Sequence, residues 1–404
     1  MSLSGKSEII GYERADGRVG IRNVVVIAYL VECAHHVARR IAMYFPDDPV
    51  HVIGFSGCYP NSYADKMMNA LCTHPNVGAV LLVSLGCESF NRNRLLANIE
   101  ASGRPVRLVG IQSTGGTGHS ITEGKAFVQS ALSEIAHVPR AVLPFEDMII
   151  GVVSGGSDAT SGLTANPAAG RAFDKIVEMG ATAIFENTGE MIGLEHHMAG
   201  RAVTAELGNE LIEAVNKAAR YYSIMGHGSF APGNAEGGLT TLEEKSMGAY
   251  CKSGSAPIVG MIKPADRPGR KGLYLMDIVP DGEPRFGFPN PNDIWEMNEL
   301  IASGAHCVLF TTGRGSVAGS AISPVIKICA NPETYRRMEE DMDINAGKIL
   351  YDEATTDQVA DEIVEKIIRV AHGEMTCSES LGHQEFVLGY KSFEPIGPAC
   401  LPVG

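Results

Sequence analysis

Along the first 140 residues, short aliphatic runs alternate with stretches whose apolar positions recur every three to four residues. Val24–Glu32, His51–Ser56, Val77–Leu85 and Val106–Gln112 have strand length and a β-branched character. Between them, AHHVARRIAMYF, PNSYADKMMNAL and SFNRNRLLANIEASG carry helical spacing, and a fourth helix is expected near Glu123–Ala136. This strand–helix rhythm predicts a parallel, doubly wound sheet. HVPRAVLPFED, with two prolines, reads as a linker.

The rhythm returns after Asp147. MIIGVV is a strand, followed by the glycine-rich SGGSDATSGLTAN and then a helix with Asn166 as cap and Pro167 as first helical residue. ATAIFE is the next strand, and one long helix is expected over about Glu195–Ser223. A second glycine-rich loop, GHGSFAPGNAEGGLTT, leads into a helix through LEEKSMGAYCKSG. PIVGMI, KGLYLMDIV, AHCVLFTT and PVIKICAN are later strands, and a helix around Thr356–His372 closes the pattern. The expected architecture is α/β: two doubly wound, Rossmann-like domains with mainly parallel sheets, over residues 8–140 and 147–372, then a docked tail over 373–404.

Composition narrows the function. The 404 residues are 45% hydrophobic and 20% charged, which fits a large packed core and excludes a disordered chain. Acidic residues number 47 against 33 basic ones, a net charge of −14. That field repels nucleic acid and anionic membranes, so an anionic ligand needs a local cationic site. No apolar run approaches the ~20 residues of a membrane span. The opening MSLSGKSEII lacks the basic and apolar regions of a signal peptide, and the nine cysteines are scattered without C-x-x-C spacing. The reading is a reduced, cytoplasmic protein without structural disulfides.

Four constellations carry candidate chemistry. Cys33, Cys58 and Cys87 each follow a predicted strand and precede a predicted helix, the edge of a parallel sheet where ligands bind. Cys33 reads as a packed core thiol. Cys58 and Cys87, both in Gly-Cys turns, read either as buried thiols or as metal ligands. Ser154, Gly155, Gly156, Ser157 and Asp158 form a loop whose N–H groups can face an anion, or a tight self-capped turn. ENTGEMIGLEHH gathers Glu186, Glu190, Glu195, His196 and His197 past a strand; singly each fits a solvated helix, while together they supply metal-ligand types. The basic set comprises Arg14, Arg18, Arg22, Lys245 and Arg314, with Arg314 in a glycine loop after a buried strand. No G-x-G-x-x-G, Walker or nucleophile-elbow pattern stands in a usable context, so no nucleotide cofactor is expected.

GYERADGRVGIRN, GCYPN, LGCE, GGSDATSGLTANPA, GNAEGGLTTLEEKSMG, FTTGRG and EDMDINAG occur in that order. This series resembles the altronate/galactarate dehydratase family from about Gly11 to about Gly347. The resemblance implies a metal-dependent lyase of small hydroxy acids, with Fe2+ first and Mn2+ or Mg2+ as alternatives. The ligands would come from Cys58, Cys87, Glu190, Glu195 and His196. Where family members often carry cysteine ahead of GGSD, this chain has Ser154. Full-length dehydratases open with a β-rich SAF domain, which is expected to be absent here. AYLVECAHHVARRIA and FSGCYPNSYADK resemble the family's two-chain sulfo-lyase branch, in which a small SAF-like alpha subunit is separate.

The reaction this implies is β-elimination from a small 2-hydroxy acid, with (2R)-3-sulfolactate going to pyruvate and sulfite as first choice. Dehydration of an altronate- or galactarate-type sugar acid is the alternative, and a non-catalytic anion-binding subunit the reading of another class. Glu190, His196, Lys245 and Arg314 are the candidate catalytic residues. Asn234, Arg18, Arg22 and the 154–158 loop are the candidate substrate contacts. The expected assembly is an oligomer with the SAF-like subunit. The strand-end loops carrying Cys58, Cys87, Ser154, Glu190 and Arg314 are expected at one cavity.

Overall fold

The computed structural model describes residues 8–186, 188–225, 229–282 and 292–391. The chain divides into two compact units. The first runs through Leu143 and adds Ala321–Ser323 and the chain from Gln384; the second holds Pro144–Ser320 and Pro324–His383. The boundary lies inside the segment read as a linker, and the expected 373–404 tail is shared between the units. The end of that tail, residues 392–404, lies outside the described residues.

The first unit contains two sheets. Strands β1 (Ile9–Glu13), β2 (Val19–Gly20), β3 (Val24–Tyr29), β4 (Val50–Gly54), β5 (Val77–Ser84), β6 (Val106–Gly110) and β7 (Arg140–Leu143) follow in chain order. β3 to β6 form a parallel sheet in the order β4-β3-β5-β6, as the alternating rhythm predicts. Its core packs Val25, Ile27, Leu81 and Val83 against Val37, Ile41 and Val128 from the flanking helices. β5 is buried at all eight positions, which explains its unbroken apolar run.

The small sheet β2-β1-β7 is antiparallel and was not legible in the sequence. β7 comes from the supposed linker and pairs with β1 from Ile9↔Leu143 to Tyr12↔Arg140. Each of its strands is too short for a clear period. The GYERADGR motif proves to be a joint. Arg14 is buried and donates to the carbonyls of Pro75 and Arg22 and to Asn23 Oδ1. Gly20 is required there, since a Cβ would stand 2.1 Å from Pro75 O.

The second unit is one seven-stranded sheet of β8 (Ile149–Ser154), β9 (Thr182–Glu186), β10 (Ile258–Ile262), β11 (Leu273–Met276), β12 (Cys307–Thr312), β13 (Val325–Cys329) and β14 (Ile344–Asn345). The order is β10-β11-β9-β8-β12-β13-β14 and every pairing is parallel. The chain leaves β8 toward β9 first and returns to β8's other side at β12, so the winding reverses beside β8. In parallel sheets the ligand crevice opens at such a reversal, outside the carboxyl ends of the strands.

The helix after β8 covers Ala165–Glu178, two residues earlier than Asn166 and Pro167 suggest. Thr164 occupies the cap, and Pro167 falls within the first turn, where its missing N–H is tolerated. The expected 195–223 helix is two: Glu195–Ala199 and Ala205–Met225. Helix Leu242–Tyr250 passes directly into a tight turn, Cys251–Ser253. Helix Asp293–Ala302 has no counterpart in the sequence reading. Trp295 to Ala302 are all buried, so it carries no amphipathic stripe. No described helix is long and apolar enough to cross a membrane.

Helix Ala165–Glu178 fixes the Cys251–Ser253 turn. Asp174 accepts the N–H groups of Ser255 and Ala256 at 2.7 and 2.9 Å. Arg201 reaches the same turn through Ser253 Oγ, Ser253 O and Ala256 O. Gly170 allows the approach, because a Cβ would stand 1.9 Å from Cys251 O. Gly170→Ala should therefore displace the turn at a cost of roughly 1–3 kcal/mol. The expected result is a fall of several degrees in Tm, at ~2–4 °C per kcal/mol for a domain of this size. Gly118→Ala is the control, since its Cβ meets nothing within 4 Å and should leave Tm unchanged.

Candidate active site

The carboxyl edge of the larger sheet brings one lysine–glutamate–serine group into the interior. Ser154 ends β8, and Glu190 lies in the turn that follows β9. Lys252 enters from the Cys251–Ser253 turn and is wholly buried. Its ammonium donates to Ser154 Oγ at 2.6 Å and to Glu190 Oε2 at 2.5 Å. The Ser154 hydroxyl donates to the same carboxylate oxygen at 2.9 Å. Lys245, two helical turns before Lys252, stands 3.4 Å from Glu190 Oε1 and donates to the Ser229 carbonyl.

Burial works against a charged Glu190, yet Lys252 and then Lys245 outweigh it and hold the carboxyl at about 2. Burial likewise opposes the Lys252 ammonium, but Glu190 and Glu186 raise it above the ordinary lysine value. Both partners are thus locked in their charged forms at neutral pH. A locked carboxylate is a poor base, and a locked ammonium is a durable hydrogen-bond donor.

Two further acids surround the pair. Glu186, the last residue of β9, is fully buried beside the Glu296 carboxyl, and Lys252 Nζ is 3.9 Å away. Burial and then the neighbouring Glu296 push its carboxyl well above the usual range. Asp293 begins helix Asp293–Ala302, and its Oδ2 lies 3.1 Å from the point where a Gly155 Cβ would stand. Burial and then Glu190 push Asp293 up to about 6.

Lys245 also lines a cavity of about 300 Å3, together with Ser157, Asp158, Asn166, Glu244 and Cys251. The volume suits a small organic acid. Lys245 therefore has the cavity on one side and Glu190 on the other.

The sequence-based candidates divide accordingly. Ser154, Glu190 and Lys245 come together, and Ser157 reaches the cavity. The rest of the glycine loop is largely engaged with the protein. Gly155 N–H donates to Thr311 O, and Gly156 O accepts from Gly313 and Arg314. Asp158 accepts from Thr160, Ser161 and Asn331, so it builds the turn instead of meeting an anion. Asn234 donates to Ser157 O and accepts from Ala231 N–H, a capping role. Arg314 is exposed, and its guanidinium grips Gly233 O and Glu236. Arg18 and Arg22 belong to the first unit, where Arg18 pairs with Asp16 and Thr73 O, and Arg22 donates to Ile21 O.

The expected metal ligand set is not assembled in the second unit. Both Glu190 oxygens face ammonium groups, Glu195 accepts the Gly193 N–H, and His196 is exposed. Cys58 and Cys87 lie in the first unit as exposed free thiols, with Ser89 N–H donating to Cys58 O. Cys33, read as packed, is exposed as well. Among the described residues no group of three or more His, Cys, Asp or Glu side chains stands ready to hold a metal ion. The residues present do not fit a metal in the arrangement expected.

Sequence reasoning missed Lys252, Asp293 and Glu296, and it singled out Glu186 only as one of the metal-ligand types in ENTGEMIGLEHH. Lys252 had a signal, since it follows Lys245 by seven residues within one helical pattern and so shares its face. Asp293 and Glu296 lie on the unread buried helix.

Removing one partner of the buried pair leaves the other uncompensated. Lys252→Met should cost about 3–5 kcal/mol of stability, recovered in good part by adding Glu190→Gln. Because Glu190 is depressed to about 2, its stabilisation is present above the ordinary carboxyl range and lost as pH falls from about 5 toward 2. Glu186 has the opposite sign: raised in the folded state, it destabilises increasingly as pH rises above the unfolded carboxyl value. Glu186→Gln should therefore raise Tm at pH 8 and leave it unchanged near pH 4. Thermal unfolding of both variants at several pH values checks the pattern.

Comparison with known proteins places the chain. Residues 11–136 match the domain described as D-galactarate dehydratase/altronate hydrolase, second domain, and residues 145–393 match D-galactarate/altronate dehydratase, C-terminal. The chain is 33% identical to the (2R)-sulfolactate sulfo-lyase subunit beta of Chromohalobacter salexigens, across 96% of this chain and 98% of that protein. It is 30% identical to the altronate dehydratase of Bacillus subtilis, across 94% of this chain and 76% of that protein. It is 31% identical to the galactarate dehydratase (L-threo-forming) of Escherichia coli, across 90% of this chain and 72% of that protein. The chain therefore belongs to the D-galactarate/altronate dehydratase family and is an enzyme of the lyase class.

Proposed function

We propose that this chain catalyses β-elimination from a small 2-hydroxy acid, with (2R)-3-sulfolactate giving pyruvate and sulfite as the reaction it fits best. The observation that carries this reading is the pair Lys245 and Lys252 around Glu190, beside a cavity of about 300 Å3. A substrate with two negative charges must enter a protein of net charge −14, and these ammonium groups supply the local attraction. Likeness to a sulfo-lyase subunit along nearly its whole length supports the choice of substrate.

The roles follow from position. Lys245 receives the carboxylate or sulfonate that enters the cavity. The Ser154 hydroxyl, held by Lys252 at 2.6 Å, would turn its one O–H from Glu190 to the oxygen on which charge develops as the C2 proton leaves. Sulfite departs as a stable anion with the C3–S bonding pair, leaving the enol of pyruvate, and needs cationic surroundings more than a proton. Hydroxide expelled from a sugar acid would need a proton from a general acid. We also propose that a small SAF-like alpha subunit completes the enzyme; the name of its sulfo-lyase relative, a subunit beta, supports a partner subunit.

The assay presents sulfolactate and altronate separately to the complex with that subunit. Equal release of sulfite and pyruvate from sulfolactate is expected. Keto-acid from altronate with no sulfite from sulfolactate would transfer the reading to a sugar-acid dehydratase. Lys245→Met should lower kcat/KM about ten- to a hundredfold, since a charge-assisted hydrogen bond is worth roughly 1.5–3 kcal/mol.

A further inference from the structure

The cavity beside Lys245 lies between the loop after β8 and helix Leu242–Tyr250. The two segments touch at glycines: a Cβ on Gly162 would stand 2.8 Å from Gly248 Cα. Leu163 follows the first of these glycines and Met247 precedes the second, and both line the cavity. Leu239, just before the helix, lines it as well. Leu163 is 63% exposed and Met247 62%. A single bare apolar side chain needs no explanation, but two at one cavity mark a surface built to meet something.

The polar groups of the same lining are spent on the protein itself. Ser157 Oγ donates to Gly155 O, and Ser161 Oγ donates to Asp158 Oδ1. Asp158 also accepts from Thr160 and Asn331. Glu244 Oε2 accepts both the N–H and the hydroxyl of Thr240. Cys251 Sγ donates to Met247 O. Asn166 gives its amide to Gly248 O, and its Oδ1 is buried in the wall. Among the described residues of the lining, Lys245 is the one cation. The cavity can thus hold an anionic end, and it has few partners to offer a row of hydroxyls.

We propose that Leu163, Leu239 and Met247 set the substrate class of this site, admitting a short acid with one hydroxyl and rejecting chains hydroxylated on successive carbons. This rests on the lyase reading above and on binding at Lys245. A hydroxyl seated against an apolar side chain gives up water and finds no acceptor, which costs about ten- to a hundredfold in affinity. Sulfolactate has a single hydroxyl between two anionic ends. Altronate carries a hydroxyl on every carbon beyond its carboxylate, so the penalties accumulate along its chain. Lys245 attracts the acid, and the wall decides which acid stays.

Malate and tartrate isolate the effect, because they share chain length and charge and differ by one hydroxyl. In calorimetric titration of the full chain, tartrate should bind about tenfold or more weakly than malate. Lys245→Met should abolish binding of both. Leu163→Asn and Met247→Gln offer the added hydroxyl a partner at exposed positions, where folding is not at risk, and should bring tartrate within about threefold of malate. In the complex, the same two variants should raise kcat/KM for altronate relative to sulfolactate by about tenfold. Failure of malate to bind, malate binding that survives Lys245→Met, tartrate bound as tightly as malate, or a gap that neither variant narrows would each overturn the proposal. A wild-type complex that turns over neither sulfolactate nor altronate, while the malate preference and its loss in the variants persist, overturns the lyase reading and upholds the selectivity of the wall.

Discussion

A buried ammonium in contact with a buried carboxylate is the constraint on which the second unit is arranged. Lys252 lacks exposure altogether, and such a charge persists only when its partners are fixed within hydrogen-bond distance. The fold supplies that fixity from several directions. β8 ends on Ser154, the turn after β9 carries Glu190, and the Cys251–Ser253 turn is clamped by Asp174, Arg201 and the bare face of Gly170. The winding reversal beside β8 puts the chain's loops where these groups meet. Packing this tight is costly around fully buried acids such as Glu186, and a site that tolerates such a cost is characteristic of function over stability.

The parallel sheets were legible in the sequence because both faces of each strand are buried. Continuous apolar runs such as Val77–Ser84 and Cys307–Thr312 then stand out against amphipathic helices. What failed to show had no period to show. The β2-β1-β7 sheet uses strands of two to five residues, and helix Asp293–Ala302 is apolar and polar on all faces because all faces are buried. Ser154, Glu190 and Lys245 could be picked out by their strand-end or loop context. Arg314, Asp158 and Asn234 shared that context and turned out to hold loops together. Residue type and position at a strand end do not distinguish a side chain facing a ligand from one facing the neighbouring loop. Only the partner decides, and partners such as Asn331 and Glu236 lie roughly 80 to 170 residues away.

The first unit carries a cluster of similar composition. Ser84 ends β5, accepts from Arg92 at 2.9 Å and donates to the buried Glu88, whose other oxygen accepts the Gly86 N–H at 2.8 Å. There the cation is a half-exposed arginine instead of a buried lysine. The same logic of a strand-end serine between a carboxylate and a cation thus recurs, with a different degree of burial. In the second unit burial opposes the Lys252 charge, and it is Glu190 and then Glu186 that hold it.

The central claim is that an anionic substrate binds at Lys245, between the cavity and the Glu190–Lys252 pair. A crystal structure of the complex with 3-sulfopropionate, which lacks the 2-hydroxyl and so cannot form the enol, tests it most directly. The account predicts a carboxylate or sulfonate oxygen at about 2.7–2.9 Å from Lys245 Nζ, with the chain of the ligand running toward Ser154. Analogue bound away from this cavity, with Lys245 still on the Ser229 carbonyl and Glu190, would contradict it.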